Sequence, residues 1–305
     1  LHLCDRRQRQ MCIRDRILMI DINGTTRVCG LIGNPVGHSI SPVIHNSLAQ
    51  LMDMNMVYTT FKVEKGDVVT AVNGAYALNI LGLNVTVPHK QAVMESLVDI
   101  DPLAKAIGAV NTLVRTDKGY KGYNTDILGL ERELIDEGVV LLGSRCVILG
   151  AGGAARAIAF LCAKSGAKEI YMLNRTKEKA YDIAKAVNDY FGKECIKPML
   201  ISEYDKLEAD DYVVIQTTSV GLYPNVDDVV IDDEAFYKKV KVGVDIIYNP
   251  SETRFMKMCK NAGKPACNGL KMLLYQGVAA YELWNDVSVT KEQADKVYNL
   301  SLIHI

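Results

Sequence analysis

Residues 145–161 read R-C-V-I-L-G-A-G-G-A-A-R-A-I-A-F-L, and the fold class turns on them. Cys146 to Leu149 is a short unbroken apolar run, as expected of a strand covered on both faces. It enters Gly150-x-Gly152-x-x-Ala155 and then a helical pattern that Gly166 stops. A second apolar run, E-I-Y-M-L at 169–173, completes a strand–helix–strand unit. In that context Gly150 permits a tight turn, Gly152 lets a ligand approach the backbone, and Ala155 keeps helix and sheet close. The helix N-terminus then offers amide donors to a pyrophosphate. The stretch reads as a dinucleotide site; the competing reading is a glycine turn of purely structural use.

The end of the second strand discriminates between dinucleotides. An acidic side chain there would hold the ribose 2'-hydroxyl of NAD, whereas an arginine accommodates the 2'-phosphate of NADP. The chain has Asn174-Arg175-Thr176, followed by Lys177 and Lys179, and no acid. Asn174 and Thr176 can donate hydrogen bonds, and Arg175 can bind phosphate as a fork. NADP is therefore expected, against the alternative of an ordinary solvated helix start. Farther on, Y-V-V-I-Q-T-T-S-V-G (212–221) reads as a strand whose end carries small hydroxyl residues, Thr218 among them, where a ligand would lie. V-G-V-D-I-I-Y-N-P (242–250) is another, halted by Asn-Pro, in which Tyr248 suits packing as readily as chemistry.

Outward from this unit, strands and helices alternate, as expected of an α/β protein with a mainly parallel sheet. Strands are expected at 28–33, 58–63 and 84–87, and helices at 42–52, 66–78 and 126–137. A hairpin is expected around Asp117-Lys118-Gly119. In N-V-T-V-P-H-K (84–90) the spacing predicts a strand, a stop at Pro88 and a helix over 89–98, which places Lys90 in a helical first turn. An ammonium there faces the positive end of the helix dipole, so the placement calls for a reason.

The bulk composition is ordinary. The 305 residues are 49% hydrophobic and 23% charged with a net charge of −1, enough chain for two domains and no electrostatic case for nucleic acid or a membrane surface. Eight cysteines fall without CxxC pairs or zinc-ligand spacing, so no metal is expected and the thiols read as reduced, in a cytoplasmic protein. The apolar region 146–163 is broken by Arg156 and the glycines, which rules against a membrane span. The opening L-H-L-C-D-R-R-Q-R-Q-M-C-I-R-D-R has five arginines and no serine, unlike a transit peptide. Residues 1–16 and 301–305 are expected to be non-native tails.

Taken in order, G-N-P-V-G-H-S-I-S-P (33–42), N-V-T-V-P-H-K (84–90), A-V-N-T-L (109–113), G-Y-N-T-D (122–126), G-A-G-G-A-A (150–155), N-R-T (174–176) and M-L-L-Y-Q-G (272–277) resemble the shikimate dehydrogenase family. The resemblance spans about 27–297. It implies a two-domain α/β enzyme, with a substrate domain over 17–123 plus 271–300 and a Rossmann NADP-binding domain over 124–270. The implied reaction is the NADP-linked, reversible reduction of 3-dehydroshikimate to shikimate, on the route to aromatic amino acids. Lys90 and Asp126 match the family's catalytic pair. Ser39, Ser41, Asn84, Thr86, Asn111, Tyr248 and Gln276 match substrate positions. The cofactor would be held by Gly150, Ala151, Gly152, Gly153, Ala154, Asn174, Arg175, Thr176, Lys179, Thr218 and Gly269. The reason for Lys90 is then acid–base chemistry, since ketone reduction needs a proton at the oxygen that becomes the alcohol.

On residue chemistry alone, Ser41 is also a natural N-cap ahead of Pro42, and Asp126 a natural cap of the helix after it. His38, His45 and His89 read as structural. Ile127, Gln216 and Lys271 depart from the commoner family pattern; Lys271, close to Gly269, is expected to bear on cofactor affinity and Ile127 on domain closure. Quinate/shikimate dehydrogenases using either nicotinamide, a methylene-tetrahydrofolate dehydrogenase and an NADP-binding regulator without turnover are the rival readings. A homodimer stays open.

Overall fold

The computed structural model describes residues 22–302; the expected N-terminal tail and residues 303–305 lie outside them. Twelve strands in this range form two six-stranded sheets. The first contains β1 (Arg27–Gly33), β2 (Met56–Lys62), β3 (Gly82–Val85), β4 (Asp99–Ile100), β5 (Thr112–Thr116) and β6 (Gly119–Tyr123), in the order β2-β1-β3-β5-β6-β4. β1 runs parallel to β2 and β3, while β5 is antiparallel to both β3 and β6, with Asn84 opposite Thr112. The expected hairpin is the β5–β6 pair, closed through Thr116 and Gly119, whose φ of +148° favours glycine.

The second sheet holds β7 (Arg145–Leu149), β8 (Glu169–Asn174), β9 (Ile196–Leu200), β10 (Tyr212–Gln216), β11 (Val240–Asp245) and β12 (Ala266–Asn268). Its order, β12-β11-β10-β7-β8-β9, is parallel throughout. Counted from β7 this is the 3-2-1-4-5-6 order of a dinucleotide-binding sheet, with the switch point between β7 and β10. β7 and β10 are buried along nearly their whole lengths, which explains their unbroken apolar runs.

Ten α-helices among the described residues cover these sheets: α1 (Ser41–Leu51), α2 (Val68–Ala77), α3 (Pro102–Ile107), α4 (Thr125–Asp136), α5 (Gly153–Lys164), α6 (Lys177–Phe191), α7 (Glu234–Lys238), α8 (Arg254–Asn261), α9 (Leu270–Asn285) and α10 (Lys291–Ser301). Two of them tie the sheets together. α4 leads from the first sheet to the second and buries Ile127, Leu130 and Leu134 in the core around α5 and β7. α9 leads back, burying Leu274, Val278, Tyr281 and Trp284 against Leu31, Ile44, Leu48 and Tyr58 of the first unit. The two helices pack directly on each other at Gly129, where a Cβ would lie 2.6 Å from the Met272 carbonyl oxygen.

The segment after Pro88 differs from its expectation. It forms a 3-10 helix over Ala92–Ser96 instead of an α-helix over 89–98, and Lys90 sits in the turn ahead of it. The Lys90 carbonyl accepts from Val110 N–H at 2.8 Å, and Met94 N–H bonds Gln91 at 3.1 Å rather than Lys90. The dipole argument for Lys90 therefore falls away. The expected strand 212–221 also ends early, at Gln216. There the Gln216 side chain replaces the ladder: Nε2 donates to the Thr218 and Val220 carbonyls, and Oε1 accepts from Thr218 N–H.

Candidate active site

At the carboxyl end of β3 the chain delivers Asn84, Thr86 and Lys90 to one cleft of about 420 Å³ between the two sheets. Asn111 arrives from the approach to β5, Asp126 from the first turn of α4, and Gln276 from α9. Ser39 and Ser41 enter from the start of α1, and Tyr248 and Gly269 from the opposite unit. Every residue matched to catalysis or substrate therefore lines a single space.

The closest ionic contact in it is Lys90 Nζ to Asp126 Oδ2, at 2.7 Å, with the two side chains 31% and 20% exposed. The other carboxylate oxygen accepts from Asn111 Nδ2 at 2.8 Å. Asp126 is not spent on capping α4. That task falls to Asn124, whose Oδ1 accepts from Asp126 N–H while its Nδ2 donates to the Ala109 carbonyl. The pair is thus a carboxylate fixed from one side and an amine fixed by it, both open to the cleft.

Ser41 is not an N-cap. It is the first helical residue, and Ser39 Oγ accepts from its N–H at 3.2 Å and donates to its Oγ at 3.1 Å. Two hydroxyls beside a helix N-terminus form a donor cluster suited to a carboxylate. Gln276 Nε2 donates to Leu273 at 2.9 Å, which leaves its carbonyl oxygen available in the cleft.

Of the three histidines read as structural, His45 is fully buried, makes no hydrogen bond within the described residues, and stacks on Tyr58 at 4.2 Å. Burial pushes its pKa down to about 3, so it stays neutral. His89 is also buried, with Nε2 2.8 Å from the Val63 carbonyl. His38 lines the cleft itself, a place its neighbours in sequence did not distinguish. Sequence reasoning also missed the apolar wall: Leu31, Pro35, Ile246, Met272 and Leu273. Part of it was readable, because Gly269, Met272, Leu273 and Gln276 recur at helical i, i+3, i+4, i+7 spacing.

The second unit supplies a candidate nucleotide cradle next to this cleft. Gly150 takes φ +114°, and a Cβ there would meet Thr217 Oγ1 at 2.7 Å and Thr218 Cγ2 at 2.8 Å, so the turn requires glycine. A Cβ at Gly152 or Gly153 would meet nothing within 4 Å, which leaves the first turn of α5 open to a ligand. Ala151 and Ala154 flank them, and Ala155 is fully buried against the sheet. At the end of β8, Arg175, Thr176 and Lys179 are exposed, with Asn174 Nδ2 bonded to the Thr176 carbonyl. Neither Arg175 nor Lys179 has an acidic partner among the described residues, whereas Lys177 lies 3.8 Å from Glu203. Two uncommitted cations at the ribose end of a dinucleotide cradle fit a 2'-phosphate.

The departures from pattern each find a place. Ile127 packs into the core. Lys271 turns away from the cleft: its Nζ lies 2.6 Å from both Asp136 and Glu137. Burial pulls its pKa down, but the two carboxylates outweigh that and raise it overall. Its expected bearing on the cofactor finds no geometric support. Gly269 does face the cleft, pressed so closely on Ile246 that a Cβ would come within 2.2 Å of that carbonyl oxygen.

Comparison with known proteins covers both units. Residues 31–113 match the family described as the shikimate dehydrogenase substrate binding domain, and residues 134–254 match shikimate / quinate 5-dehydrogenase. The chain is 43% identical over 265 residues to the shikimate dehydrogenase (NADP(+)) of Desulforamulus reducens, covering 86% of this chain and 91% of that protein. Among solved structures, a shikimate dehydrogenase in complex with NADP+ superposes with a TM-score of 0.84 at 38% identity, covering 93% of this chain and 97% of the other. The Listeria monocytogenes enzyme in complex with shikimate and NAD does so with a TM-score of 0.84 at 30% identity, covering 92% and 97%.

Proposed function

The chain belongs to the shikimate dehydrogenase family, and from that premise we propose how its own residues carry out the NADP-dependent, reversible reduction of 3-dehydroshikimate to shikimate, a step in aromatic amino-acid biosynthesis. The observation that carries the reading is the Lys90–Asp126 pair at 2.7 Å, facing the same cleft as eight further polar side chains of two different units.

NADP, when bound, supplies the hydride in reduction and accepts it in oxidation. Gly150, Ala151, Gly152, Gly153 and Ala154 would hold its pyrophosphate, Asn174, Arg175, Thr176 and Lys179 its 2'-phosphate end and Gly269 its nicotinamide side, with Thr218, which packs against the Gly150 turn, as a further cofactor contact. Lys90 donates a hydrogen bond or a proton to the ketone oxygen and takes the proton back in the reverse direction. Asp126 orients that amine and accepts from a neighbouring ring hydroxyl. Ser39 and Ser41 hold the substrate carboxylate with hydroxyl donors. Asn84, Thr86, Asn111, Tyr248 and Gln276 surround the ring, and a ligand that lacks one of its hydroxyls leaves a buried partner unpaired. The apolar wall excludes water from the hydride path.

We assign residues 17–123 with 271–300 to substrate binding and 124–270 to NADP binding. The separate sheets and the return of α9 to the first one support that division. No helix among the described residues is long and apolar enough to cross a membrane, and a cytoplasmic site of action fits the free thiols at Cys29, Cys146, Cys162, Cys195, Cys259 and Cys267.

The direct test is absorbance at the nicotinamide band during shikimate oxidation with NADP, with quinate and with NAD as controls. Turnover of shikimate with NADP well above both controls is expected. Faster turnover of quinate, or none with any pair, would reject the assignment.

A further inference from the structure

Behind the cleft lies a chain of hydrogen bonds that joins lining residues through two, Tyr58 and Thr112, that do not line it. Tyr58 on β2 is 2% exposed, and its hydroxyl donates to Asn84 Oδ1 at 2.8 Å. Asn84 Nδ2 donates to the Asn111 carbonyl at 3.3 Å and to Thr112 Oγ1 at 3.1 Å. Thr112 Oγ1 donates in turn to Asn111 Oδ1 at 3.0 Å, and Asn111 Nδ2 reaches Asp126. Neither Tyr58 nor Thr112 is among the cleft-lining residues, whereas Asn84 and Asn111 are.

The sense of both amides is forced. Turning Asn84 over would point its oxygen at the Asn111 carbonyl, an acceptor with no proton to give. Reversing Asn111 would point its oxygen at the Asp126 carboxylate and its NH2 at the Thr125 backbone N–H, which donates to Asn111 Oδ1 at 2.7 Å. Asn84 therefore has both N–H groups committed inside the protein and one lone pair of Oδ1 taken by Tyr58. What remains is the second lone pair of that oxygen. The Tyr58 ring is itself immobilised by stacking on His45, and burial holds its phenol protonated well above the usual range, so it donates throughout the pH span of an assay.

We propose that Tyr58 and Thr112 are positioning residues that clamp the Asn84 carboxamide from opposite sides, so that this position offers the ligand an acceptor only and selects a ring hydroxyl that can donate. A ketone oxygen cannot satisfy it, so the clamp helps to set which ring position faces Lys90. The inference rests on the shikimate reading of the cleft.

The test is a double-mutant cycle on the full chain, run after wild-type turnover of shikimate with NADP has been established; absence of that turnover would reject the parent reading before the cycle begins. Tyr58→Phe removes one hydroxyl and keeps the stacked ring. It is expected to raise the KM for shikimate about 5–10-fold, the scale of one lost hydrogen bond, with kcat within about 3-fold and the KM for NADP unchanged. In an Asn84→Ala background the same change should alter the shikimate KM by less than about 2-fold, because the clamped group is gone. Equal effects in both backgrounds, or a parallel rise in the NADP KM, would overturn the proposal. Should Tyr58→Phe fail to fold, as judged by the loss of a cooperative thermal transition, Thr112→Val takes its place; because Thr112 also bonds Asn111, its effect on the shikimate KM should shrink in the Asn84→Ala background without vanishing, and an equal effect in both backgrounds would overturn the proposal.

Discussion

Lys90 illustrates how a single residue's role depends on its partners rather than on its local backbone. Its amine is held by Asp126 at 2.7 Å, Asp126 by Asn111, and the α4 cap is relieved by Asn124. Removal of the amine by Lys90→Ala takes away the proposed proton donor and polariser but leaves the glycine turn and Arg175 intact. Steady-state kinetics should show kcat for shikimate oxidation reduced at least ~100-fold, with the Kd for NADP by fluorescence titration nearly unchanged. An unaltered kcat would remove Lys90 from the chemistry. The sequence made this pair readable only through its resemblance to a family, since Lys90 and Asp126 are 36 positions apart and no local rule joins them. The dipole reading of Lys90 fails because the segment forms a short 3-10 helix that begins two residues later, with Met94 N–H bonded to Gln91 rather than to Lys90. The Ser41 and Asp126 capping alternatives failed similarly: Ser39 and Asn124, each two residues upstream, accept from the Ser41 and Asp126 N–H groups.

At the level of elements, the strands with both faces covered were legible because their apolar runs have no other use, and β7 followed by Gly150 fixed the second sheet. The mixed first sheet was less so. The antiparallel insertion of β5 between β3 and β6 depends on which strands meet, and composition does not encode that. Least legible was the α4–α9 contact, made by helices more than 130 residues apart, although Gly129 marks it. A Cβ at Gly129 would lie 2.6 Å from the Met272 carbonyl oxygen and 2.8 Å from Gln276 Cβ, both within α9. Backbone cannot yield as a flexible side chain can, so Gly129→Ala should push the helices apart at a cost of about 1–3 kcal/mol despite alanine's better helix propensity. Because Gln276 lines the cleft, the displacement should also raise the KM for shikimate several-fold while leaving the KM for NADP unaltered. A thermal midpoint equal to or above wild type would show that the contact has slack.

Across the whole molecule, the same helix pair links catalysis to stability through a group that the proposed mechanism does not use. Glu133, on α4, is 1% exposed, and neither of its carboxylate oxygens has a hydrogen-bond partner in the described residues. Burial, reinforced by Glu137 and opposed by Lys271, raises its pKa from 4.5 to about 8. Asp245, the last residue of β11, is raised by burial from 3.8 to about 6, with Thr253 and the Ile247 amide pulling the other way. For both groups the folded state holds a proton that the unfolded chain has already lost, so stability falls as pH rises from the unfolded pKa to the folded one. Asp245 acts between about 4 and 6, and Glu133 continues the decline to about 8. Between pH 6 and 8 the Glu133 contribution alone amounts to about 2–3 kcal/mol, at 1.36 kcal/mol per proton per pH unit. The alkaline conditions that favour alcohol oxidation, which releases a proton, are therefore those in which the joint between the two sheets is weakest. Glu133→Gln keeps the shape and abolishes the titration. Its thermal midpoint should lie close to wild type at pH 5.5 and exceed it by about 5 °C at pH 8.5, on the usual scale of a few degrees per kcal/mol for a chain of this size. Midpoint curves running parallel from pH 5.5 to 8.5 would mean that the wild-type carboxyl does not retain its proton, and that water or a ligand reaches the interface between α4 and α9.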